Sequence, residues 1–291
     1  MLQKKLGKSI WELLGPIVVN GVITFVVQMF IIGIYYVHHL DEIAILSGTQ
    51  EEVMNQAAEI LYGVLDYSVQ IAGISSLFSI PVLLFMMRND RKKEIAVGMI
   101  PKQQAPLSKY GLIVGISIPF ALGLNNLILF LDLAKYSEAY QEAAGTFYAP
   151  SYLIQLICLG IISPIVEELI FRGLIYKRMR RGAEKATQAM ILSGIAFGLY
   201  HGNLVQMIYG SLAGILLAYL LEKYGSIKAP ILAHICMNIV ALTLTEAEVF
   251  TWMFQNVIRM GVITVACSTL ASTMFLLIQK IDAKTLQCEE K

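Results

Sequence analysis

Charge is scarce in this sequence. Asp, Glu, Lys and Arg make up 15% of its 291 residues, against about a quarter in soluble domains. That shortage argues against an ordinary water-facing globule. Neither sign dominates, the net charge being +1. No basic stripe with interleaved aromatics occurs, so a nucleic-acid partner is not indicated. Cysteine is as sparse: Cys158, Cys236, Cys267 and Cys288 show no CxxC spacing, and three of them lie in apolar runs. Membrane-buried thiols fit that pattern better than a disulfide framework or a zinc knuckle. There is no low-complexity segment and no visible repeat.

Apolar residues are what the chain has in abundance, at 57% with a mean hydropathy of +0.66. About 20 apolar residues cross a bilayer. Eight stretches qualify, at roughly 15–37, 67–87, 110–133, 150–176, 187–203, 204–222, 229–245 and 257–279. The expected fold class is therefore an all-α polytopic membrane protein with about eight transmembrane helices. The "MLQKKLGKS" start resembles a signal-peptide n-region, but the apolar stretch behind it is too long and lacks a small-residue cleavage site. It reads as an anchor.

The loops suggest an orientation. Lys4, Lys5 and Lys8 precede the first span, "RNDRKKE" follows the second and "KRMRRGAEK" the fourth. Lys223 and Lys228 lie between the sixth and seventh, and Lys280 and Lys284 close the chain. The Asp41–Asp66 loop instead carries six acids and no Lys or Arg. With eight spans every basic segment falls on one side, which predicts a multi-pass protein of the cell membrane with both termini cytoplasmic.

Against that background "PIVEELIFRGLIY", Pro164 to Tyr176, is anomalous. Glu167 lies roughly 15 Å inside the basic end of its span, at 1.5 Å per residue. A central charge costs about 2.5–3.5 kcal/mol on insertion scales, and such groups face the protein interior or a wet cavity. Glu168 and Arg172 are spaced i,i+4 in the favourable order, so they read as a structural pair. Glu167 points about 100° away, with no cation on its own helix to neutralise it. A carboxylate without a counter-charge in a low-dielectric place holds a proton more readily, and a general base needs that property.

Companions lie on other spans. "FGLYH" puts Phe197 and His201 at i,i+4, and "HICMN" does the same for His234 and Asn238. A single histidine in an apolar helix is more often structural. Two of them with an asparagine and an unpaired glutamate, on three spans, suggest a site. Counted from the basic charges, however, His234 lies roughly 9 Å deep, Glu167 15 Å and His201 24 Å. Helix tilt, or a fifth span that begins in the interface, would be needed to bring His201 level. Gly194-x-x-x-Gly198 and Gly210-x-x-x-Gly214 permit close approach of the fifth and sixth spans.

Taken together, Glu167-Glu168-x-x-x-Arg172, Phe197-x-x-x-His201 and His234-x-x-x-Asn238 resemble the EExxxR, FxxxH and HxxxN motifs of the CAAX-protease and bacteriocin-processing family of intramembrane glutamic proteases. The resemblance spans roughly residues 150–245. It implies a catalytic core there, preceded by transmembrane helices in 1–149 and followed by a helix and cytoplasmic tail in 246–291. It further implies an endopeptidase in which Glu167 and His201 activate a water while His234 and Asn238 donate to the oxyanion. Glu168, Arg172 and Phe197 would support them. No Ser or Cys sits in a nucleophile motif, so attack by water is favoured over an acyl-enzyme. No cofactor is implied, and the partners would be the bilayer and a membrane-associated or lipidated peptide substrate. Two alternatives stand beside this one: a zinc protease using the same residues, although HExxH is absent, and a non-catalytic membrane scaffold.

Overall fold

The computed structural model describes residues 2–96, 98 and 103–281; Lys284 and Cys288 lie outside them. The described elements are helices and turns without a strand. We label the principal helices α1 (Leu2–His38), α2 (Gln50–Gly63), α3 (Ser68–Ala96), α4 (Gly111–Phe130), α5 (Glu138–Tyr148), α6 (Tyr152–Gly182), α7 (Ala186–Tyr200), α8 (Leu204–Tyr224), α9 (Lys228–Glu246) and α10 (Val257–Gln279).

Among the described residues, seven stretches are long and apolar enough to cross a membrane: five lie within α1, α6, α8, α9 and α10, one is α4 with the turn before it (Leu107–Phe130), and α2 with α3 forms the seventh. The eighth expected span is α7, whose 15 residues reach about 22 Å, short of a hydrocarbon core about 30 Å thick. Sequence hydropathy does not register that shortfall, because only the short His201-Gly202-Asn203 break separates the apolar runs of α7 and α8. Gly202 divides them. Its φ of +73° is a left-handed conformation that glycine adopts without strain, and the Asn203 side chain then caps α8 by accepting from the Gln206 amide. The acidic loop is also more ordered than its composition suggests. Thr49 and Glu52 form a capping box that starts α2.

Burial grades from rim to centre. Only 6% of the most apolar window of α1 is buried within the protein, against 50% for α8. Among the described residues the core has three clusters, the smallest built on Tyr176, Ala189, Ala218 and Leu221. Of the larger two, one joins α4, α8, α9 and α10 through Ile113, Leu217, Tyr224, Ala233 and Ile278; the other joins α3, α6 and α7 through Leu83, Ile170, Phe171, Leu174 and Phe197.

The basic segments are gathered at one end of the bundle. Arg178 and Arg181 of α6 share Oδ2 of Asp90 on α3, at 2.7 and 3.1 Å, and Arg178 also donates to the Glu12 carbonyl of α1. Tyr176 donates to Glu222 (2.6 Å), Tyr224 to the Lys109 carbonyl (2.9 Å) and Lys223 to the Gln279 carbonyl (2.9 Å). The α6–α7 and α8–α9 connections therefore lie on the same side whether or not α7 crosses completely. At the other end lie the acidic 41–66 segment and α5.

Candidate active site

The motif helix α6 is irregular where its polar residues sit. Pro164 has no N–H to reach back toward Gly160, and the preceding turn widens into π-helix over Leu156–Ile162. A short α-helical stretch, Ser163–Glu168, carries both glutamates, and a second π-helical stretch follows over Leu169–Tyr176. Such local widenings re-aim side chains and recur at functional sites. Here the outcome is visible in the Leu159 carbonyl, which accepts from Asn238 Nδ2 at 2.9 Å and so ties α9 to α6.

Glu168 and Arg172 are fully buried and paired at 2.7 Å, the i,i+4 contact expected from the spacing. The pair does more than neutralise itself. The same Glu168 oxygen lies 2.8 Å from His234 Nδ1 on α9. Arg172 Nη2 donates to the Gly214 carbonyl of α8 at 3.0 Å, while its guanidinium sits 4.4 Å from the Phe197 ring centre. Four helices thus meet on one ion pair. Phe197 packs edge-on to the rings of Phe171, His201 and His234 at 5.1, 4.9 and 5.6 Å, the geometry aromatic pairs prefer.

Glu167 faces the other way, as its 100° offset requires. Its Oε2 lies 3.7 Å from His234 Nε2, and its Oε1 accepts from Ser163 Oγ at 3.0 Å. Ser163 is an addition to the candidate residues expected from the motifs, and its i−4 position relative to Glu167 signals the contact. His201 Nδ1 lies 2.9 Å from the Phe197 carbonyl. A carbonyl only accepts, so Nδ1 carries the hydrogen and a neutral His201 keeps the Nε2 lone pair as an acceptor.

The depth mismatch disappears in the three-helix register. Arg172 bonds the Gly214 carbonyl, and Gly214 packs on Gly194 so tightly that a Cβ on it would meet Gly194 Cα at 2.8 Å. These three residues share one level. Glu167 is five residues beyond Arg172 and His201 seven beyond Gly194, in the same direction, which leaves a height difference of about 3 Å. The first turns of α7 sit level with the basic end of α6, as a span beginning in the interface would. Glu167, His201, His234 and Asn238 accordingly line one cavity of about 230 Å³.

Among the described residues, no group of three or more His, Cys, Asp or Glu is arranged to hold a metal ion. His234 engages a carboxylate at each ring nitrogen instead of presenting a nitrogen beside two further ligands. Cys158, Cys236 and Cys267 are free thiols.

Residues 149–240 match the family profile described as type II CAAX prenyl endopeptidase Rce1-like. The motif-bearing segment is similar to that endopeptidase family. All three motifs fall inside it. A Bacillus subtilis (strain 168) protein described as "Putative membrane peptidase YdiL" is 27% identical over 195 residues, covering 65% of this chain and 77% of that protein. No solved structure matches the chain. With its apolar helices, the chain is a multi-pass membrane protein, and its segment 149–240 is similar to a family of membrane proteases.

Proposed function

We infer that this protein is an intramembrane endopeptidase of the CAAX type, hydrolysing a peptide bond of a membrane-associated substrate with a water activated at Glu167. The observation that carries this reading is the single cavity that takes Glu167 from α6, His201 from α7, and His234 with Asn238 from α9. Each contributes a distinct chemical capacity. Glu167 takes a proton from the attacking water as its oxygen bonds to the scissile carbonyl carbon. Nε2 of His201 accepts from the same water and orients it. Asn238 uses one amide hydrogen on Leu159 and has a second for the oxyanion.

The role of His234 follows from its neighbours. Arg172 and His234 meet one Glu168 oxygen, so that carboxylate is the acceptor and Nδ1–H the donor. A neutral His234 then presents a bare Nε2, which cannot donate to an oxyanion. The proton that Glu167 removes from water can supply the missing hydrogen, because Oε2 lies 3.7 Å from Nε2. His234 thus becomes a donor as negative charge develops on the carbonyl oxygen. Collapse of the tetrahedral intermediate breaks the C–N bond, and the same proton leaves on the departing amine. This sequence needs no metal, and chelators should leave turnover unchanged.

Comparative membrane peptidomics of cells carrying the wild-type or the Glu167→Gln chain is the direct test. An uncleaved precursor should accumulate with Glu167→Gln at equal protein levels. Identical peptidomes would remove the protease reading and leave a membrane scaffold. Substrates of the required chemistry include lipidated C-termini, peptide precursors and short tails of membrane proteins. Both termini on the basic, cytoplasmic side complete the reading.

A further inference from the structure

The geometry points to a substrate that reaches the site from the membrane face opposite the basic loops: a peptide exposed on the extracytoplasmic side, seated against the aromatic edge of α5. This inference rests on the protease reading above and adds the direction of access to it. The wall of the cavity carries the direction. Its innermost lining residues are Glu167 on α6, Ala121 on α4, Ala213 on α8 and His234 on α9. From each, the lining continues only away from the basic end, to Leu159, Ile128, Gln206 and Leu242 respectively. Among the described residues, nothing nearer the basic end on these four helices reaches the cavity.

That inner side is closed by solid packing. Arg172, Leu174, Leu217 and Leu220 are all 0% exposed, and Tyr176 is 1% exposed. A peptide cannot pass such a layer without unpacking the ion pair that holds His234. The far side has a different character. There the cavity is bordered by Tyr140, Phe147 and Tyr148 of α5, and the latter two are 36% and 44% exposed. Tyrosine offers an apolar ring and a polar hydroxyl together, which suits an extended peptide backbone that needs apolar contact and hydrogen bonds. α5 itself is a short amphipathic helix, started by the Ser137 side chain accepting from the Tyr140 amide. The positive-inside rule assigns the gathered Lys and Arg to the cytoplasm, which places the opening on the outer face. An exported peptide, or the outer tail of a membrane protein, meets the requirement.

Vectorial thiol labelling tests this without depending on catalysis. In a chain whose four native cysteines are replaced by serine, Asn125→Cys places a thiol inside the cavity and Tyr148→Cys places one at its rim. Glu51→Cys and Glu184→Cys serve as references for the acidic and basic ends. Each variant is treated with a membrane-impermeant maleimide in right-side-out and in inverted vesicles. Asn125→Cys and Tyr148→Cys should label with Glu51→Cys, in right-side-out vesicles. Labelling of Asn125→Cys together with Glu184→Cys overturns the inference, as does failure to label in either vesicle type. A chain that cleaves its substrate yet labels from the basic side loses only this inference. A chain that labels as expected but cleaves nothing loses only the protease reading.

Discussion

Glu168 Oε1 receives Arg172 Nη1 at 2.7 Å and His234 Nδ1 at 2.8 Å, so one oxygen links the buried ion pair to a histidine of the candidate site. Half of that was readable in advance. The Glu168–Arg172 contact follows from i,i+4 spacing, whereas no local pattern pairs Glu168 with a histidine 66 residues away. Removing one partner of a buried ion pair typically costs about 3–5 kcal/mol. Arg172→Ala should therefore lower the melting temperature in detergent and abolish turnover together; an unchanged melt would detach Arg172 from the fold. Asn238 permits a sharper distinction. Loss of one oxyanion donor typically lowers kcat by about 10²–10³-fold, so Asn238→Ala should depress kcat with KM nearly constant. Asn238→Asp should do no better, because an ionised carboxylate cannot donate and repels the developing charge. A zinc mechanism predicts the reverse, since carboxylates ligate metals well. Metal-stimulated turnover by Asn238→Asp would overturn the water–glutamate reading.

At the scale of elements, the glycines of α7 and α8 set the height of His201. The spacing Gly194-x-x-x-Gly198 and Gly210-x-x-x-Gly214 announced a close contact, but the sequence held no clue to its register against α6. The register came from the Arg172 bond to the Gly214 carbonyl, a long-range contact to a backbone atom, which carries no sequence signature. A Cβ on Gly198 would meet the Ser211 backbone nitrogen at 2.8 Å, and one on Gly214 would meet Gly194 Cα at the same distance. Backbone cannot swing aside as a flexible side chain can, so the helices must separate. Overpacking of this kind costs about 1–3 kcal/mol. Gly214→Ala should also displace the carbonyl that holds Arg172, and with it the Phe197–His201 edge contact. The expected result is a moderate loss of thermal stability with a disproportionate loss of kcat. Thermal melts alongside turnover check it, and wild-type kcat in Gly214→Ala would show that the register does not matter for the chemistry.

At the scale of the molecule, the basic end works as a clamp separate from the site. α1 is almost wholly lipid-facing, and among its described residues Leu13 and Ile17 pack against the core cluster of α3 and α6. What fixes its basic end is Arg178, which donates both to Asp90 on α3 and to the Glu12 carbonyl. Arg181 reinforces this by sharing Asp90 and approaching Glu94 at 3.6 Å. Lys/Arg counting expected the basic segments on one face, and among the described residues Arg178, Arg181 and Lys223 gather at one end. It gave no hint that Arg178 joins three helices there, through Asp90 and the Glu12 carbonyl. Asp90 is only 14% exposed at its side chain, and hydrogen bonds to charged groups contribute about 1.5–3 kcal/mol. Asp90→Asn removes the charge that two guanidiniums share while leaving the amide's shape and one acceptor. The variant should melt earlier in detergent, and the α1–α3 junction should become more sensitive to protease. Turnover measured in lipid below the melt should stay near wild type, because no clamp residue lines the cavity that holds Glu167. If Asp90→Asn instead abolished turnover in a chain with unchanged melting, the basic end would be coupled to the chemistry, and the separation between clamp and site would be wrong.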